Sequence, residues 1–119
     1  MNEIENEVDT HIESFIERLE VISEMMAVKR YIKKYNLAHS TRERNYTIHR
    51  QYLMWKIRKK TMNAKVSVTY IGKLFNRDHA TVLHAIKCID SMLKINDPFL
   101  KEVIATFGDE INGLDYENI

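Results

Sequence analysis

The chain has 119 residues, 45% hydrophobic and 29% charged, with one Pro, three Gly and one Cys; its mass is 14.1 kDa and its mean hydropathy is -0.39. That is the size and composition of one globular domain, and it excludes collagen, a disordered chain and a run of tight β-hairpins, which need more turn residues. The longest segment without Asp, Glu, Lys or Arg is residues 79–86, far short of the ~20 apolar residues that cross a bilayer, so no membrane partner is expected. The first residues are acidic and precede no apolar stretch, unlike a secretion signal. Cys88 alone makes no internal disulfide, in keeping with a reducing, cytoplasmic setting.

The formal charge of +1 is a cancellation. Residues 1–24 carry a net −7, residues 25–65 a net +11, residues 66–96 a net +2 and residues 97–119 a net −5. A basic block of this size attracts a polyanion whatever the total charge, although charge alone is equally met by a solvated surface balanced by acidic arms.

Ile4, Val8, Ile12, Phe15, Leu19, Ile22 and Met26 recur every three or four residues, and Val28, Tyr31, Ile32 and Tyr35 continue the stripe. With no Gly or Pro to interrupt, one long helix or two nearly continuous ones are predicted up to about Asn36. Residues 36–45 lose the period and read as an exposed basic loop. The period resumes near Ile48 through Tyr52, Trp55 and Ile57, predicting a helix that ends in Lys56, Arg58, Lys59 and Lys60. Ser67 suits an N-cap for a short helix with Val68, Ile71, Leu74 and Phe75 inside; Asn76-Arg77 breaks it, and Asp78 caps a longer helix facing inward with Val82, Ala85, Ile86, Ile89, Met92 and Leu93. Asn96-Asp97-Pro98 stops that helix and starts another, with Leu100, Val103, Ile104 and Phe107 inside and Gly108 at its end. The last residues read as a polar, acidic, frayed tail.

A short helix, a tight turn and a longer helix beside a basic block is the arrangement of a helix-turn-helix, in which the second helix offers polar side chains at its N-terminal end to base edges. Here those are Asp78, His79 and Thr81. As a bare pattern it is common to small helical proteins. The particular residues narrow it: Ile71, Gly72, Phe75, Arg77, Asp78, His79, Thr81, Val82, His84 and Ala85 follow the signature of the DNA-binding C-terminal domain (domain IV) of the bacterial replication initiator DnaA, and the chain resembles that family over residues 22–107. Upstream, Arg42-Glu43-Arg44 and Arg50-Gln51 fall where the family has an arginine-bearing loop and an Arg-Gln pair opening a helix.

The resemblance implies an all-α, Trp-repressor-like helix-turn-helix bundle that binds double-stranded DNA at an element like the DnaA box. It implies that Arg42 enters the minor groove and that Asp78, His79, Ala80 and Thr81 face bases in the major groove. Phosphate contacts fall to Arg44, Arg50, Gln51, Arg58, Lys59, Lys60, Lys65, Thr69 and His84. Ala80 stands where the family has Ser or Thr, and Thr69 where many members have Pro. A role in replication initiation control or transcription regulation, as a stand-alone, nucleoid-associated protein, follows by the same route.

Residues 1–21 have no counterpart in that domain and are expected to form an acidic amphipathic helix, either packed on its own domain, serving as a homodimer seam, or docking a partner. The last use, binding a partner or DnaA itself, defines the alternative reading, a protein-interaction module; residues 108–119 are the acidic tail. Gly72, Gly108 and Gly113 do not make a phosphate-binding loop, so no nucleotide and no ATPase activity are expected. His79 and His84 lie on different helix faces with no Cys pair to complete a metal site, and no cofactor, metal or enzymatic activity is expected.

Overall fold

A computed structural model describes residues 25–61 and 66–116. Among them are five helices and no strand: α1 (Met26–Lys34), α2 (Arg44–Lys60), α3 (Val68–Leu74), α4 (His79–Lys94) and α5 (Pro98–Asn112). The expected acidic helix of residues 1–21 and Lys65 lie outside the described residues.

Three asparagines punctuate the chain. Asn36, Asn76 and Asn96 have φ of 55°, 57° and 53°, the left-handed conformation that Asn tolerates better than other residues with a Cβ. Each follows the C-cap of α1, α3 or α4 and closes a Schellman motif. In α1 the amides of Leu37 and Asn36 donate to the carbonyls of Ile32 and Lys33; in α3 those of Arg77 and Asn76 donate to Gly72 and Lys73; in α4 those of Asp97 and Asn96 donate to Met92 and Leu93. The starts are equally explicit. Ser67 accepts from the amide of Tyr70, Asp78 from that of Thr81, and Asp97 from those of Phe99 and Leu100, with Pro98 in the first turn.

The central element is α2. Ile48, Tyr52, Leu53, Met54 and Ile57 are buried in it, together with His49 and Arg50. Its apolar residues therefore occupy more than one face, as befits a helix surrounded by others. It packs against α4 and α5 and, less extensively, α3, while α3 packs on α4. Val82, Ala85 and Ile89 of α4, Ile71 of α3 and Phe75 join the core, with Val28, Tyr31 and Ile32 of α1 and Leu100, Val103 and Ile111 of α5.

Two expected boundaries move. α2 begins at Arg44 rather than near Ile48, because its first turn, Arg44 to Thr47, is polar and largely exposed and so carries no hydrophobic period. α5 runs past Gly108 to Asn112: Gly108 is buried within it, and Ile111 adds another inward turn. Tyr116 is buried in turn, its hydroxyl donating to the Ile111 carbonyl at 2.7 Å, so the chain remains docked well beyond Gly108. α5 is tied to α1 where Glu110 accepts from the Lys34 ammonium at 2.7 Å and from the Tyr35 hydroxyl.

Candidate nucleic-acid interface

The turn between α3 and α4 is short because Gly72 permits it. A Cβ there would overlap the carbonyl oxygen of Arg77 and press on that of Asp78 at 3.1 Å, so any larger residue would push the start of α4 away from α3. The same Gly72 carbonyl accepts from the Arg77 amide at 2.8 Å. Both edges of the glycine thus set the angle at which α4 leaves the body of the fold.

α4 leaves with its N-terminal end uncovered. Asp78, His79, Ala80, Thr81, Leu83, His84 and Lys87 are all exposed. Asp78 Oδ1 accepts from both the amide and the hydroxyl of Thr81, at 2.9 and 2.8 Å, and these bonds hold its carboxyl below the usual carboxylate range. The result is a fixed anion at the helix start, with its Oδ2 turned to no partner among the described residues. His84 Nε2 lies 3.3 Å from the Cys88 thiol. Leu83, 46% exposed, is an apolar side chain in a polar stripe, next to the buried Val82.

The arginine-bearing loop lies against the α3–α4 turn. The Arg77 guanidinium donates to the carbonyls of Ala38 and His39 at 3.3 and 2.8 Å, and also to those of Phe75 and Asn76 in its own turn. Leu37 is fully buried, so the loop is anchored at that point rather than exposed throughout. Arg42 remains exposed. Arg44 is exposed too, as the first residue of α2, and its guanidinium sits 4.0 Å from the centre of the Phe99 ring.

The residues assigned to phosphate are dispersed. Lys59 and Lys60 are exposed at the end of α2, and Thr69 is exposed in the first turn of α3. Gln51 and Arg58 are half-buried, with Arg58 donating to the Val66 carbonyl at 3.4 Å. Arg50 is not brought to the surface. It is 7% exposed and donates to the carbonyls of Leu37 and His39, while burial and the nearby Arg77 lower its pKa. Trp55, half-buried, donates to Asp90 at 2.9 Å, stacks on Tyr52, and has the Lys56 and Lys59 ammonium groups within 6 Å of its ring.

Sequence spacing gave Arg77 no role, although it lies inside the motif, because the carbonyls it binds, those of Ala38 and His39, are distant in the chain. Elsewhere, a cavity of about 510 Å³ is lined by residues of α1, α2 and α5, including Tyr35, His49 and Phe107, and by none of α4. Among the described residues no group of His, Cys, Asp and Glu has the geometry to hold a metal, and no helix is long and apolar enough to cross a membrane.

A family model described as the bacterial DnaA protein helix-turn-helix matches residues 19–89. That span takes in α1, α2, α3 and most of α4, and it stops before α5. No curated protein and no solved structure gives a significant match.

Proposed function

Because the chain belongs to the bacterial DnaA helix-turn-helix family and is therefore a DNA-binding protein, we propose that it reads a specific short duplex, similar to a DnaA box, through two adjacent grooves. The observation that carries this reading is the junction of the Arg42 loop with the α3–α4 turn, through the two Arg77 bonds to the Ala38 and His39 carbonyls. One face thereby offers an exposed cation beside a capped helix end with exposed polar side chains.

His79 and the carboxylate of Asp78 suit base edges in the major groove, where Asp accepts from the exocyclic amines of cytosine and adenine. Ala80 and Leu83 offer methyl groups to thymine. Arg42 suits a narrow, A/T-rich minor groove, where the negative potential is strongest. Lys59, Lys60 and Thr69, with Arg44, Gln51, Arg58 and His84 around them, supply phosphate contacts that position the protein without reading sequence. Arg50 acts behind the loop. The role this serves is control of replication initiation or of transcription, by occupation of the element and without ATP hydrolysis.

Titration of a selected duplex and of a scrambled one by fluorescence anisotropy tests the reading. His79→Ala and Arg42→Ala are each expected to reduce the preference for the selected duplex about tenfold or more, the usual scale for a lost base contact. Variants that weaken both duplexes equally would show that these side chains touch only the backbone.

A further inference from the structure

Two guanidinium groups converge on one short piece of backbone. Arg50, from α2, donates to the carbonyls of Leu37 at 3.3 Å and His39 at 3.2 Å. Arg77, from the α3–α4 turn, donates to Ala38 at 3.3 Å and His39 at 2.8 Å. Three successive carbonyls are held, and the last takes a bond from each arginine. Among the described residues neither guanidinium bonds a carboxylate, and the two are close enough that Arg77 adds to the effect of burial in lowering the Arg50 pKa.

Placing like charges together, with one of them withdrawn from water, is unfavourable, and a chain that only needed a stable loop would be served by Arg50 alone. The second arginine adds a geometric tie. Arg77 also bonds the Phe75 and Asn76 carbonyls, so one planar group spans the loop and the turn that launches α4. Its fork of donors is what makes this span available; a lysine ammonium is a single point and reaches one segment at a time.

We propose that Arg77, seated against Arg50, is a positioning residue for sequence recognition: it fixes the register between the Arg42 loop and the start of α4, so that minor-groove and major-groove contacts are made at one spacing. This rests on the two-groove reading above. A loop freed from the tie still brings its charge to DNA but must be ordered on binding, and it reaches more than one register; affinity for any duplex survives while discrimination falls.

The test uses Arg77→Met, which removes the charge and the fork but keeps the backbone amide that closes the α3 cap, and Arg77→Lys, which keeps the charge. Three readings are taken: the preference for a selected over a scrambled duplex, the salt dependence of binding, and the order of residues 39–43 in the free protein by backbone NMR relaxation. Both variants are expected to lose about tenfold in preference, with the salt slope unchanged and the loop more mobile than in the wild type. Arg77→Met added to Arg42→Ala should cost no further preference, because both act through the same contact. The proposal is overturned if the salt slope falls by about 0.9, the mark of a direct phosphate contact, if Arg77→Lys behaves as wild type, or if the loop is as ordered without Arg77. Should Arg77→Met fail to fold, Arg77→Lys carries the same three readings. A wild-type protein with no duplex preference refutes the recognition reading itself, which the loop measurement on the free protein keeps distinct from failure of the tie.

Discussion

Replacement of His49 by Gln isolates one titration in the core. His49 is 5% exposed. Its ring stacks on Phe107, with centroids 4.0 Å apart, and meets Tyr31 edge-on and Tyr35 at a tilt; its Nε2 is hydrogen-bonded to the Tyr31 hydroxyl. Burial pushes the imidazole pKa from 6.5 down to about 4, against a weaker opposing pull from the Glu110 carboxylate. As pH falls below 6.5 the unfolded chain takes up a proton that the folded chain refuses, so stability declines until the folded pKa is reached and then stops declining. Between about pH 7.5 and about pH 5 the linkage amounts to about 2 kcal/mol, reduced to about 1–2 kcal/mol by solvent at the cavity mouth. The carboxyls of Glu110 and Asp78, held below their ordinary values of 4.5 and 3.8, lose their contribution only at lower pH. Urea unfolding followed by circular dichroism across this window is expected to show the decline in the wild type and a flat line in His49→Gln, with the variant weaker near neutral pH for want of the ring stack. Equal declines in the two proteins would refute the assignment of a neutral, buried His49.

Three further outcomes are expected. Gly72→Ala should destabilise by about 1–3 kcal/mol in thermal unfolding, since its Cβ meets the backbone of Arg77 and Asp78 rather than a side chain that can turn away; a change under about 0.5 kcal/mol would show that the turn has room. Asp78→Asn should keep the cap and lose base preference, whereas Asp78→Ala should lose both, with about 1 kcal/mol of stability; if Asp78→Asn binds as wild type, Asp78 is a cap alone. Lys59→Ala combined with Lys60→Ala should lower the salt slope of binding by about 1.8 while leaving duplex preference unchanged, and an unaltered slope would place the end of α2 off the DNA.

The caps were legible because they are local. Ser67, Asp78 and Asp97-Pro98 announce helix starts by chemistry that acts within three residues, and Asn36, Asn76 and Asn96 mark the stops. The inward faces of α3, α4 and α5 were legible for the same reason, as periodicity, except that Leu93, expected inside α4, is 39% exposed because the last turn of the helix runs past the core. What escaped the sequence depends on contacts across it. The start of α2 carried no period because its first turn faces solvent, and α5 outran Gly108 because Ile111 and Tyr116 find the core. At the site, Arg42, Asp78, His79, Ala80 and Thr81 could be proposed from the motif, and their exposure suits that proposal. The burial of Arg50 could not: Arg50-Gln51 looks like two polar residues in a basic segment until the loop folds over the first of them. Arg77 went unassigned because its partners lie 38 and 39 residues away.

The most direct measurement is selection of bound duplexes from a random pool by the wild-type protein and by a variant combining Arg42→Ala with His79→Ala. Enrichment of one short element with an A/T-rich flank by the wild type, lost in the double variant while salt-sensitive binding to random DNA persists, is the expected result. A wild-type pool that stays as random as the input would contradict the claim that this chain reads DNA sequence.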